Sequence, residues 1–86
     1  MTQPSTKKQL LGMLEDLARQ MDIRIRYEKT TARGGLCKHN DKYQIIIDRK
    51  SNDDFKIDII AAALKSFDLS DIYIAPKLRD VLEIAQ

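Results

Sequence analysis

The stretch Asp53 to Phe67, DDFKIDIIAAALKSF, constrains this chain more than any other. Ile57, Ile60, Ala61, Leu64 and Phe67 recur at helical spacing, and the Ala61-Ala62-Ala63 step sits where helix propensity is greatest. Ser51, Asn52 and Asp53 are all able N-caps, and Asp53-Asp54 favour the positive end of a helix beginning there. We read it as the core helix of a small α+β domain. The helix brings no catalytic constellation with it, so what is legible here is a fold rather than a reaction.

Upstream, Leu10, Leu14, Leu17 and Met21 recur at +4, +3, +4, with Leu11 and Ala18 widening the stripe. That pattern predicts an amphipathic helix from Lys7 to Gln20 or Met21, after a lead-in holding Pro4 and the caps Ser5 and Thr6. Asp22 breaks the pattern and the period changes to two. Ile23, Ile25 and Tyr27 alternate with Arg24, Arg26 and Glu28, as in a half-buried strand with a charged outer face. Gly34-Gly35 punctuates a polar connection. Gly35–His39 reads as a short strand, Asn40-Asp41-Lys42 as a tight turn, and Tyr43–Asp48 as a β-rich strand. Three consecutive isoleucines, 45 to 47, put that last strand in the middle of the sheet or under cover on both faces. After the core helix, Ile72-Tyr73-Ile74 is extended, and Pro76 opens a final helix to about Ala85 with Leu78, Val81 and Leu82 inward. The expected order is α-β-β-β-α-α: a small, three-stranded, mostly antiparallel sheet with helices packed on one face.

Composition narrows the function classes. The 86 residues leave room for one domain, 1–86, and one core. A chain of this length buries only about 60–65% of its unfolded surface, which makes oligomerisation a live option. The longest unbroken apolar run, Ile59 to Leu64, is too short for a membrane span. The N-terminal MTQPSTKKQLLGML lacks a long apolar run and a small-residue cleavage site, so no signal peptide is expected. A single cysteine, Cys37, excludes an internal disulfide and fits a reducing, cytoplasmic setting. The net charge is +2, unevenly spread. Residues 1–52 carry 11 Lys and Arg against 6 Asp and Glu, whereas residues 53–86 carry 4 against 7. A nucleic-acid-binding module using the basic N-terminal half is therefore an alternative, though a weak excess without paired aromatics on a basic strand disfavours it.

Residues able to do chemistry are few. His39 is the lone histidine, two positions from Cys37. Residues two apart on a strand share a face, so a thiol-dependent enzyme using Cys37 is a second alternative, but no third group orients the ring. Cys37, His39 and Asp41 fall short of a metal site in ligand count and spacing. No phosphate-binding glycine motif occurs. We therefore expect no catalytic residue, no metal and no cofactor.

The layout is similar to the N-terminal core of the ImmA/IrrE-type zinc metallopeptidases. LLGMLEDLARQMDIRIRY, residues 10–27, resembles that family's first helix and strand. GGLCKHNDKYQIIID, residues 34–48, resembles its hairpin, and DDFKIDIIAAALKSFDL, residues 53–69, its motif helix. The likeness covers about two thirds of the chain and stops at the diagnostic residues. Laid on the family's AHELgH pattern, the first zinc histidine falls on Ala62, the catalytic glutamate on Ala63, the glycine on Lys65 and the second histidine on Ser66. Two imidazoles at i and i+4 with a carboxylate beside the first are what that chemistry needs, and these side chains supply none of it. The resemblance thus implies a degenerate, non-catalytic relative.

The function expected from the sequence is protein–protein contact, with a homodimer or an unidentified protein as partner. The candidate partner-binding residues are Arg24, Arg26, Gly34, Gly35, Cys37 and His39. A stripe of small residues, Ala62, Ala63 and Ser66, is a candidate close-packing surface for the C-terminal segment 72–85, with short contacts to Ala62 or Ser66.

Overall fold

The computed structural model describes residues 7–29 and 35–82, and realises the expected order as α1 (Lys7–Gln20), β1 (Ile23–Glu28), β2 (Gly35–His39), β3 (Lys42–Asp48), α2 (Asp53–Lys65) and α3 (Pro76–Leu82). Each boundary has a local cause. α1 closes with the amides of Met21 and Asp22 bonded back to Leu17, Ala18 and Arg19, and Asp22 at φ 62° turns the chain into β1. Asn40 and Asp41, at φ 51° and 66°, form the tight left-handed turn between β2 and β3. Asn52 is the N-cap of α2, its side-chain oxygen accepting from the Phe55 amide at 2.8 Å.

The sheet departs from the expectation in one respect. Its order is β1-β3-β2, with β2 antiparallel to β3 but β1 parallel to β3 in continuous register from Ile23↔Tyr43 to Glu28↔Asp48. It is a mixed sheet and not a mostly antiparallel one. The physical reason lies in the isoleucine-rich β3. It is the strand with most apolar surface to bury, so it takes the centre, and β1 and β2 flank it. The β2–β3 hairpin then fixes β3 in the same direction as β1.

All three helices gather on one side. α1 lies over β1, α2 lies over β2 and β3, and α3 leans on α1 and α2. The short dimension of 17 Å accommodates one sheet and one helix layer. Ile45 and Ile47, both 0% exposed, face the helices together with Ile23, and they meet Leu14, Leu17 and Ala18 of α1 and Ile57, Ile60 and Leu64 of α2 in one core. Ile74, Leu78 and Leu82 close it from the C-terminal side. Edge-on packing of Tyr43 against Phe67, with ring centroids 5.0 Å apart, seals one end. At the other end Lys7 meets Asp54 at 2.9 Å and Lys8 meets Asp53 at 3.6 Å, linking the first turns of α1 and α2. No helix among the described residues is long and apolar enough to cross a membrane.

Candidate interaction face

The strand register decides which side chains share the uncovered face of the sheet. Because Ile23, Ile25 and Tyr27 of β1 stand on the helix side with Ile45 and Ile47, the alternating Arg24, Arg26 and Glu28 stand on the other. On β3 these are Lys42, Gln44, Ile46 and Asp48, and on β2 Gly35, Cys37 and His39. Cross-strand rows follow. Arg24, Gln44 and Cys37 form one, and Arg26, Ile46 and Gly35 the next. His39 and Lys42 stand opposite each other at the turn. Residues placed by sequence in separate strands, Arg24, Arg26, Cys37 and His39, thus come together on one surface. Gly34 lies outside the described residues.

The electrostatics of this face are mostly compensated. Arg26 pairs with Glu28 along the strand, and Lys42 with Asp22 at 2.7 Å. Arg24 is the exception. It is exposed, and among the described residues no carboxylate stands within ion-pair distance of it. Cys37 is exposed with a free thiol, and the His39 ring lies 3.2 Å from the Asn40 amide. Gly35 has φ +154°, a conformation that side chains with a Cβ rarely adopt, although a Cβ there would meet nothing within 4 Å. Its role is to let the chain enter β2, and it leaves a flat spot beside Ile46.

Beside β1 and across the strand ends toward the β2–β3 turn, the surface sinks into an open depression of about 730 Å³. Its walls include Glu15 and Arg19 from α1, Ile23, Arg24, Ile25 and Tyr27 from β1, and His39, Asn40, Lys42, Tyr43 and Gln44 from the β2–β3 hairpin. The Tyr27 hydroxyl donates to Glu15, and the Lys56 ammonium sits 5.0 Å from the Tyr27 ring centroid. Burial, reinforced by the Glu15 carboxylate, pushes the Tyr27 phenol above its ordinary value of 10.0. The link between Glu15 and Tyr27 was not legible in sequence. It is set by how α1 crosses β1, and only the helical position of Glu15 next to the buried Leu14 hints at it.

The small-residue positions are not brought together. Ala63 is buried in the core, whereas Ala62 and Ser66 are exposed, and the Ser66 hydroxyl donates to the Ala63 carbonyl at 2.6 Å. Among the described residues the C-terminal segment does not cover Ala62 or Ser66; it reaches the core through Ile74, Leu78 and Leu82 instead. Residues 83–85 of the segment expected to pack there lie outside the described residues. Helix geometry separates the three positions: 62 and 66 are one turn apart on the outward side, and 63 turns 100° away from 62.

The described residues contain no group of three or more His, Cys, Asp and Glu side chains placed to hold a metal ion. What the surface offers chemically is a guanidinium, an amide, a thiol and an imidazole on a β-platform, beside a strand edge. Comparison with protein-family models, with curated proteins and with solved structures returns no match.

Proposed function

We propose that this chain works by contact, presenting the open face of its sheet to a protein partner. The observation that carries the reading is the division of the sheet. One face is closed by α1 and α2, while the other displays Arg24, Gln44 and Cys37 in one row with Ile46 alongside. Polar groups that can donate and accept, set around an apolar centre, are what a modest protein interface uses. A polyanion is served less well, because Arg26 and Lys42 already have carboxylate partners. In this reading the likeness to ImmA/IrrE-type zinc metallopeptidases is one of layout, with Ala62, Ala63 and Ser66 where that family's HExxH residues would stand.

Cys37 supplies the test, since it is the lone cysteine of the chain and lies on the face in question. A benzophenone attached to its thiol should photo-cross-link a discrete partner in a cell extract. The same label on Ser70→Cys in a Cys37→Ser background should not. Arg24→Glu should reduce the Cys37 adduct by about tenfold, as loss or inversion of a central charge contact does. Equal capture from both sites, or capture indifferent to Arg24, would count against the reading.

A further inference from the structure

The two edges of the sheet are built differently. β2 carries an exposed Lys38 on the helix side of the sheet, where it faces Tyr43 across the ladder with its ammonium 5.5 Å from the ring centroid, and a lysine on an edge strand is a device that discourages further strand pairing. β1 has no such device. Its register is unbroken, it has no proline, and its covered side is Ile23, Ile25 and Tyr27, with every charge on the open side. The Glu28 carbonyl accepts from the Arg49 amide at 3.0 Å, so the backbone groups of even-numbered β1 residues serve the β3 ladder. Those of Ile23, Ile25 and Tyr27 consequently point away from β3, and these three residues are among those that line the depression with Glu15 and Arg19.

We propose that the β1 edge binds an extended segment of a partner protein by strand addition, and that the segment alternates apolar and acidic residues. The contact reading above supplies the setting, and this inference names the mode and chemistry of one contact. The apolar positions fall beside Ile23, Ile25 and Tyr27 under α1. The acidic positions fall on the open face beside Arg24, the cation there without a carboxylate partner among the described residues. Backbone hydrogen bonds to Ile25 and Tyr27 supply affinity, and the alternating side chains supply specificity. A second copy of this chain fits the edge poorly. α1 lies over β1, and a copy paired there would bring its own α1 to about 5 Å from this one, one strand spacing away, where helices need about 8–10 Å. A single strand has no such layer to accommodate.

The test is titration of the full chain with the acetylated, amidated peptide Val-Glu-Val-Glu-Val, followed by amide hydrogen exchange. Protection at Ile25 and Tyr27 should rise at least about tenfold, while the amides of Arg24 and Arg26, already in the β3 ladder, stay unchanged. Val-Lys-Val-Lys-Val should bind about tenfold more weakly, and Arg24→Glu should invert that preference, an outcome a merely structural role for Arg24 would not produce. The inference is overturned if no peptide alters Ile25 and Tyr27, if the two peptides bind alike, or if those amides are already protected without peptide in a sample whose light-scattering mass is that of a dimer. A Cys37 photoprobe that still captures a partner in that event leaves the open-face reading standing and removes only this one.

Discussion

The two faces of the sheet share the same strands and differ in what covers them. On β3, Ile45 and Ile47 are 0% exposed beneath the helices, while Ile46 between them is half-buried on the uncovered side. Three chemically identical side chains therefore have different energetic roles. Those of Ile45 and Ile47 are surrounded by the core, and each is worth most of the roughly 1.5–3 kcal/mol that burial of an isoleucine provides. Ile46 contributes less to stability and more to the character of the surface around Arg24 and Cys37. A protein organised only to be stable would cover both faces or place polar residues throughout the open one.

The strongest way to break this comparison is to truncate the isoleucines separately. Ile47→Ala should cost about 2–5 kcal/mol, through lost transfer free energy and the cavity left in the buried core. Ile46→Ala should cost about 1 kcal/mol or less, since the side chain leaves no enclosed void. Urea denaturation would read the difference as two midpoints with a common slope. Equal losses would mean that the open face is covered in solution.

Tyr27 sits at the boundary between the two regimes, on the covered side but at the free edge. Its phenol is raised by burial and then by Glu15, so its folded value exceeds its unfolded one. A group raised in this way contributes stability that is fully present below its unfolded value, near 10.0, and is lost as pH climbs through the folded value. Stability should therefore fall on the alkaline side from about pH 10 upward. Tyr27→Phe should cost about 1–2 kcal/mol at neutral pH by removing the hydrogen bond to Glu15, and should flatten that alkaline fall. Denaturant midpoints between neutrality and pH 11 for both proteins would check both statements. A neutral-pH loss with an unchanged alkaline slope would place the sensitivity elsewhere.

What the sequence conveyed follows the same division. The helices and strands were legible because their periodicity is local: Leu10, Leu14 and Leu17 define α1, and Ile23, Ile25 and Tyr27 define the covered side of β1. The parallel pairing of β1 with β3 was not, because neighbours in sequence are the usual neighbours in a sheet, and only the competition for the central position sends β1 past β2. That ordering is also what assembles the candidate site. Arg24, Arg26, Cys37 and His39 could be singled out one at a time, but Gln44 and Ile46 join them only when β3 lies between β1 and β2. The small residues of α2 show the converse. Ala62, Ala63 and Ser66 look alike in sequence, and only the helix's orientation on the core sends Ala63 inward and leaves the other two outside.

The smallest effect expected is on the open face itself, and there a near-zero result is the informative one. Arg24→Ala removes an exposed side chain whose guanidinium has no carboxylate partner among the described residues, so thermal and urea stability should change by no more than about 0.5 kcal/mol. Cross-linking from Cys37, measured on the same sample, should nevertheless fall severalfold, because the residue's value lies in what it meets when a partner docks. A surface arginine that costs nothing to fold and much to bind belongs to an interface. A loss of 2 kcal/mol or more on folding would assign Arg24 to the architecture instead, and would make the open face a second structural face rather than one kept free for contact.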